Sequence, residues 1–202
     1  TYEVINPATE EVLGKASKAS PGDVDRALKS AEKGLQVWKK ITPWERSYIL
    51  RRIADKLREK KDILATWMTL ENGKPLAEGV GETNGAADIF EWNAEETKRI
   101  FGQTIDSRFE DTRVHVYYQP VGVVAALSPW NFPLILAARK ISTALAAGCS
   151  VIIKPDTITP GVVMELVDIC RECGVPPGAV NLLSGDPPSI ASQLIQSDII
   201  KK

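Results

Sequence analysis

Three polar residues in the middle of the chain have side chains and spacing that suit a catalytic site. Asn131 follows a short apolar run, Lys154 ends a second one, and Arg139 lies between them in a longer aliphatic segment. An amide just past a buried strand can direct two N–H donors into a cleft, where they would stabilise a developing oxyanion. The same position also suits an asparagine that caps the following helix, and the spacing alone favours the cap.

The two cations also have alternative roles. Lys154 precedes Pro155, which favours an extended backbone, and its ammonium group could bind a phosphate or a ribose hydroxyl, or reach out to water. Arg139 lies eight residues after Asn131, roughly two helical turns along. Its guanidinium group could bind a substrate carboxylate through two hydrogen bonds, although the pattern on its own favours an arginine that faces solvent.

The segments around these residues predict a parallel β-sheet that would hold them in place. Two short apolar runs, Val121 to Leu127 and the one that ends at Lys154, are bounded by proline and glycine, as strands buried on both faces are. The segment between them is rich in alanine and leucine and long enough to form a helix. Together they predict a right-handed βαβ unit, in which ligands bind at the carboxyl ends of the strands.

The first hundred residues predict mainly helices. A short surface hairpin is expected within residues 1–20, followed by helices that start at Pro21, at Pro43 (with Thr42 as cap), near Lys61 and at Pro75, the last reaching Ile100-Phe101. The glycine-rich stretch 79–84 resembles a dinucleotide-binding loop, but no strand precedes it and the third glycine is missing. It therefore predicts a helix face of small residues.

The remaining elements lie on either side of the central unit. Residues 104–120 predict an exposed hairpin that carries the single histidine, His115, as a surface residue. After the central unit we expect a helix that runs from Pro160, capped by Thr159, to Cys173-Gly174. A third strand at 179–183, a short helix at 189–195 and the first residues of a fourth strand, Ile199-Ile200, complete the prediction.

Composition excludes several classes of function. The 202 residues are 44% hydrophobic and 25% charged, with a net charge of −1, which is typical of a soluble globular protein. No basic stripe for nucleic acid and no apolar run of about 20 residues for a membrane is present. Three cysteines do not form a disulfide framework, and Cys170 and Cys173 lack a second pair for zinc, so we expect no metal site and a reducing, cytoplasmic location.

The run from Ser128 to Pro133, followed by Ile153-Lys154-Pro155 and Thr159-Pro160, resembles the aldehyde dehydrogenase superfamily. The stretch Glu71-Asn72-Gly73-Lys74-Pro75 agrees with it. The resemblance implies a Rossmann-like cofactor-binding domain, a catalytic domain and a β-arm. Residues 1–103 would then be the helical part of the cofactor-binding domain and residues 121–202 its βαβ core. Residues 104–120 would belong to the arm of a homodimer or homotetramer.

The resemblance also implies roles for single residues. Asn131 matches the asparagine whose amide stabilises the oxyanion of the thiohemiacetal, and Arg139 matches an arginine that binds the distal carboxylate in succinate-semialdehyde dehydrogenases. The implied substrate is a carboxylated semialdehyde, such as succinate or 2-oxoglutarate semialdehyde. Cofactor contacts are implied for Ser128, Pro129, Trp130, Asn131, Lys154, Pro155, Asp156, Thr157 and Gly185.

The cofactor itself is expected to be NADP, with NAD as the alternative. Many NAD-preferring members have a glutamate that grips the ribose hydroxyls where this chain has Thr157. Loss of that carboxylate removes a repulsion against a 2′-phosphate, which Lys154 can attract. Lys154 would lie at the adenosine ribose, and Gly185 beneath the adenosine.

One feature departs from the family pattern. Family members are much longer, and their catalytic cysteine and general-base glutamate correspond to positions beyond Lys202. Hydride transfer requires a thiolate adduct first, so we expect these 202 residues alone not to oxidise aldehydes. Two alternatives remain open, a non-catalytic cofactor-binding or assembly module and a coenzyme-A-acylating aldehyde dehydrogenase. Arg139 and Thr157 speak against the acylating enzyme.

Overall fold

The chain folds into seven strands and seven helices. In the computed structural model, which describes residues 1–202, they are in chain order β1 (Tyr2–Ile5), β2 (Val12–Ala16), α1 (Pro21–Trp38), α2 (Pro43–Glu59), α3 (Lys61–Asn72), α4 (Leu76–Thr97), β3 (Gln103–Asp106), β4 (Arg113–Val116), β5 (Val123–Leu127), α5 (Pro133–Ala146), β6 (Ser150–Lys154), α6 (Pro160–Glu172), β7 (Val180–Leu182) and α7 (Pro187–Ile195). The predicted α/β class, with a Rossmann-like parallel sheet, is confirmed.

Strands β5, β6 and β7 form the parallel sheet, in that order. On the free side of β5, Ile200 pairs in parallel with Val123, and the Ala125 N–H donates to the Lys202 carbonyl at 2.9 Å. The predicted start of a fourth strand is therefore present, and the strand order reverses at β5. In open parallel sheets such a reversal creates a crevice at the carboxyl ends of the strands.

Helices cover both faces of this sheet. In β6, Val151 and Ile153 point into a large core formed with α2 to α6, whereas Ile152 points into a smaller core with α1 and α7. The alternation follows from the two-residue period of a strand. Because both faces are covered, every residue of β6 is buried, which explains its continuous apolar sequence.

Helix α1 is fixed closely to the sheet. The hydroxyl of Ser150 donates to the Ala31 carbonyl at 2.8 Å, and the indole N–H of the fully buried Trp38 donates to the Leu145 carbonyl at 2.9 Å. Between these contacts the backbone of α1 at Gly34 touches the turn at Gly178. A Cβ atom on Gly34 would lie 2.0 Å from the Gly178 carbonyl carbon.

Most of the helix bounds and caps predicted from local sequence patterns are present in the structure. The predicted cap of α2 is a full capping box between Thr42 and Glu45. Helix α4, however, ends at Thr97 and not at Ile100-Phe101, because these two side chains are 43% and 68% exposed and have no core to pack on. Helix α7 begins at Pro187, two residues earlier than predicted.

Strands β3 and β4 pair as the expected antiparallel hairpin, which begins at Gln103. Almost all of its residues are exposed, including His115, whose ring nitrogen Nδ1 lies 3.1 Å from the Thr104 hydroxyl. Its role as an oligomerisation arm stays a prediction. No helix of the chain is both long enough and apolar enough to cross a membrane.

The contact between Gly34 and Gly178 provides a test of this packing. We expect Gly34→Ala to lower the free energy of unfolding by at least about 2 kcal/mol, because the added methyl group meets backbone that cannot move aside. Urea denaturation measures the change.

Gly81→Ala is the matched control. Gly81 also lies within a helix, but a Cβ atom there would meet nothing within 4 Å. This variant should be stabilised by up to about 1 kcal/mol, because alanine favours the helix. Equal effects of the two substitutions would contradict the close approach of α1.

Candidate functional site

The carboxyl ends of β5 and β6 lie side by side. The two strands are parallel neighbours in which Leu127 is paired with Lys154, and the Ser128 N–H extends the ladder with a 3.0 Å bond to the Lys154 carbonyl. Asn131 follows three residues later. The structure therefore brings Asn131 and Lys154 to the same edge of the sheet, next to the crevice at β5.

The side chain of Asn131 does not cap helix α5. The residue is exposed, Phe132 holds the N-cap position, and no side chain at that position bonds to the helix. The capping role that the spacing favoured is therefore wrong. The amide group of Asn131 has no hydrogen-bond partner within the chain, so its N–H donors are free to bind a ligand.

The cap of α5 comes from a different helix. Glu82 of α4 is buried, and its Oε1 accepts hydrogen bonds from the backbone N–H groups of Leu134 at 2.9 Å and Ile135 at 3.0 Å. Its second oxygen forms an ion pair with Lys74, whose ammonium group also donates to the Asn131 carbonyl at 3.2 Å. A buried carboxylate thus satisfies the helix N-terminus that Asn131 leaves open.

Neighbouring side chains hold the rest of this loop. The amide of Asn72 donates to the Trp130 carbonyl at 2.8 Å, and the Lys74 ammonium group lies 4.7 Å from the centre of the Phe132 ring. Pro129 is exposed, and the Trp130 side chain is half exposed. The loop that carries Asn131 is therefore fixed from the α3–α4 junction.

Lys154 is an unpaired cation in a nearly closed environment. It is 4% exposed, and its ammonium group makes no hydrogen bond or ion pair. Burial lowers its pKa, while Asp156 and Asp186 act in the opposite direction. The Ser128 hydroxyl is also buried without a partner. Such unsatisfied groups fit a ligand that has hydroxyl or phosphate oxygens.

The turn after β6 is organised by Asp156. Its carboxylate accepts a hydrogen bond from the Ile158 N–H at 3.1 Å and lies 3.5 Å from the Thr157 hydroxyl. Pro155 is buried and Thr157 is half-buried. The turn therefore carries one carboxylate, Asp156, which acts electrostatically on Lys154, followed by a neutral threonine at position 157.

Gly185 follows β7, the third strand of the parallel sheet, and so lies at the same edge. Its φ of 134° suits glycine, and a Cβ atom there would come within 3.0 Å of the Ala19 nitrogen. The residue is buried against the segment that leads into α1, so packing explains the glycine. Its contact with a cofactor stays a prediction. Asp186 caps α7 by accepting the Ser189 N–H at 3.1 Å.

Helix α6 is capped by a second buried carboxylate. Thr159 was predicted to cap this helix, but its hydroxyl makes no cap bond and is buried without a partner. Instead Glu71, from the end of α3, accepts the N–H groups of Gly161 at 2.8 Å and Val162 at 3.2 Å. Burial raises the pKa of Glu71 to about 7, and these two bonds only partly oppose the shift.

Arg139 is exposed on α5, and its guanidinium group has no ion pair. It lines an open cleft of about 590 Å³ along the outer side of β5, next to Lys140 and Lys202. Burial and the adjacent Arg139 both lower the pKa of Lys140. The cleft is lined mainly by apolar residues, among them Val121, Val124 and Ala144.

The three cysteines lie away from this edge. Cys149 comes just before β6, and Cys170 and Cys173 lie at the end of α6, so all three are at the amino ends of the strands. All three are free and buried, as predicted for structural cysteines. Burial raises the pKa values of Cys170 and Cys173, which disfavours the thiolate.

A sequence model described as the aldehyde dehydrogenase family matches residues 1–202, the whole chain. The chain belongs to the aldehyde dehydrogenase family. The resemblance carried by the Ser128–Pro133 run is therefore confirmed.

Similar proteins agree with the assignment. The chain is 42% identical over 202 residues to the glutarate-semialdehyde dehydrogenase of Pseudomonas putida and covers 42% of its length. It is 40% identical over 200 residues, 99% of this chain, to the NADP(+) succinate-semialdehyde dehydrogenase GabD of Escherichia coli, of which it also covers 42%. The crystal structure of succinate-semialdehyde dehydrogenase from Burkholderia pseudomallei superimposes with a TM-score of 0.98 at 40% identity, over all of this chain and 42% of that one.

The sequence analysis did not identify the residues that bond to the Asn131 loop and to the N-termini of α5 and α6 in this member of the aldehyde dehydrogenase family. Glu71, Lys74 and Glu82 were not assigned a role, although Glu71 and Lys74 were part of the family resemblance. One signal was available for Glu82. It lies three residues after Gly79 and four before Ala86, on the buried stripe of α4, where an ionised side chain needs a partner.

The buried Glu71 predicts a specific dependence of stability on pH. Its folded-state pKa of about 7 lies above the ordinary value of 4.5, so the folded chain binds the extra proton. Binding of this proton contributes fully to the free energy of unfolding below pH 4.5. The contribution, up to about 3 kcal/mol, is lost as pH rises through 7. In Glu71→Gln this component of the pH dependence should be absent.

Urea denaturation between about pH 4.5 and 8.5 measures the difference, with Glu32→Gln, an exposed glutamate on α1, as the control. The two variants should differ most in slope between about pH 5 and 7. A Glu71→Gln profile parallel to that of the unmodified chain would show that Glu71 stays ionised throughout.

Proposed function

We propose that the residues at the carboxyl ends of β5 and β6 bind the cofactor in an enzyme that oxidises an ω-carboxylated aldehyde, such as succinate semialdehyde, to the acid. NADP, or alternatively NAD, would accept the hydride. The observation that carries the proposal is the presence at one sheet edge of two unpaired groups, the Asn131 amide and the Lys154 ammonium. Relatives named for glutarate and succinate semialdehyde support this substrate class.

Asn131 would act on the aldehyde oxygen. When a thiolate adds to the carbonyl carbon, that oxygen becomes an oxyanion, and a preorganised amide N–H stabilises the developing charge. Bound NADP or NAD supplies the hydride acceptor. The thiol would come from a catalytic domain outside these 202 residues, because the three cysteines of this chain are buried at the other edge of the sheet.

The residues at the edge fit a dinucleotide. The unpaired Lys154 ammonium and the unpaired Ser128 hydroxyl would bind ribose hydroxyls or a 2′-phosphate. Asp156 and Asp186 both act electrostatically on Lys154, and each also accepts a backbone N–H. With Thr157 in place of a further carboxylate, the Lys154 ammonium can attract a 2′-phosphate, which favours NADP.

Thr157→Glu tests the cofactor preference. A carboxylate at this position should repel a 2′-phosphate by at least about 1.4 kcal/mol and so weaken NADP⁺ binding about tenfold or more. The same carboxylate can accept hydrogen bonds from unmodified ribose hydroxyls, so NAD⁺ binding should hold or improve. Titration calorimetry on the 202-residue chain measures both affinities without requiring the thiol.

Thr157→Gln is the control, because it adds the same bulk without the charge. Its ratio of NADP⁺ to NAD⁺ affinity should stay near that of the unmodified chain. Tighter binding of NAD⁺ than of NADP⁺ by the unmodified chain would contradict the proposed preference.

Arg139 would select the substrate. It lies six residues into α5, about 9 Å along the helix axis from the end that carries Asn131. Its exposed guanidinium group, which has no ion pair, suits a carboxylate at the far end of an aldehyde whose carbonyl lies near Asn131.

Arg139→Leu tests this role in the polypeptide that joins these residues to the thiol-bearing domain. Loss of a charged hydrogen bond of about 1.5–3 kcal/mol should raise KM for succinate semialdehyde roughly 10- to 150-fold. KM for butanal, which has no carboxylate, should stay unchanged. An unchanged KM for succinate semialdehyde would rule out Arg139 as the carboxylate ligand.

A further inference from the structure

A buried ion pair connects the α3–α4 junction to the loop that carries Asn131. The Lys74 and Glu82 side chains are 8% and 1% exposed. Each has a second contact with main chain, since Lys74 donates to the Asn131 carbonyl at 3.2 Å and Glu82 accepts the N–H groups of Leu134 and Ile135. The pair therefore fixes the backbone on both sides of Phe132.

Stability is a weak explanation for such a pair. The cost of removing two charges from water often cancels their attraction, and an apolar pair of similar volume can serve equally well. What the apolar pair cannot do is bond to specific main-chain atoms. Glu82 takes over the capping of α5 and Lys74 satisfies the Asn131 carbonyl, so the Asn131 side chain is left without a structural task.

We infer that Lys74 and Glu82 are positioning residues, which set the direction of the Asn131 amide toward the reacting carbonyl oxygen. The inference rests on the proposed role of Asn131 as oxyanion donor. Lys74 acts on the carbonyl of Asn131 itself, and Glu82 acts on the first turn of the helix that the loop enters. Neither residue touches the substrate.

The size of the effect follows from how sharply catalysis depends on geometry. A displacement of about 1 Å at a catalytic group can lower the rate about 100-fold. Glu82→Asp keeps both charges and the ion pair but shortens the side chain by one methylene group. The loop must then shift toward the shortened carboxylate, or helix α5 loses its cap. We expect kcat to fall roughly 10- to 100-fold, with KM for the nicotinamide cofactor unchanged.

A double-mutant cycle separates positioning from general support of the fold. Asn131→Ala, Glu82→Asp and the double variant are compared in the polypeptide that carries the thiol-bearing domain. If Glu82 acts through Asn131, Glu82→Asp lowers kcat in the unmodified background but has almost no further effect once the amide is gone. A purely structural role predicts the same fall in both backgrounds and would overturn the inference, as would an unchanged kcat in Glu82→Asp.

A second variant covers the case in which Glu82→Asp folds poorly. Lys74→Met combined with Glu82→Gln removes both charges and keeps an acceptor for the α5 cap. Its melting temperature should stay near that of the unmodified enzyme while kcat remains about tenfold or more lower. Unmodified kcat in this variant contradicts positioning by the pair.

Lys60→Met with Glu165→Gln is the matched control, because it removes another Lys–Glu pair that has no contact with the loop. This control should keep the original kcat. The failure of the proposed function gives a different result, since kcat would then be unchanged in Asn131→Ala itself. In that outcome the oxyanion role and the positioning role are both rejected.

Discussion

Two buried carboxylates satisfy the helix ends at which the candidate site is built. Helices α5 and α6 start directly after β5 and β6, so their unpaired N–H groups lie at the edge where a sheet of this kind binds ligands. Glu82 accepts two of these groups in α5, and Glu71 accepts two in α6. Because both carboxylates come from the N-terminal helices, the loops after the strands do not have to cap their own helices.

This arrangement changes the electrostatics of the edge. In many dinucleotide-binding sheets the positive end of a helix holds the phosphates. Here the first turns of α5, α6 and α7 are each occupied by an acidic side chain, Glu82, Glu71 and Asp186 respectively. An anionic ligand must therefore be attracted by side-chain cations, and Lys154 is nearly buried at this edge without a partner. The raised pKa of Glu71 shows that its burial costs more than its two hydrogen bonds return.

The sequence predicted the elements whose signals are local. Strands β5 and β6 were recognised from their apolar runs, and the predicted cap of α2 depends on two residues three positions apart, Thr42 and Glu45. Such signals are complete within one turn of chain. The family resemblance then selected Asn131, Lys154 and Arg139 from alternatives that spacing alone left open.

The wrong predictions have a common cause. Asn131 and Thr159 both precede a helix with proline near its first position, and both were credited with caps that they do not form. Glu82 and Glu71 form these caps from 52 and 90 residues away in the chain, and a local pattern cannot reveal such a partner.

The same long-range contacts explain how a polar side chain can remain available for chemistry. A side chain that caps a helix is held in one orientation by its bond to the backbone. Asn131 avoids this because its carbonyl is bonded to Lys74 and its helix is capped by Glu82, while its own amide bonds to no partner in the chain. The helices of the first hundred residues therefore do more than cover the sheet. They satisfy the backbone of the site, and the side chains that follow the strands are left free to act on a ligand.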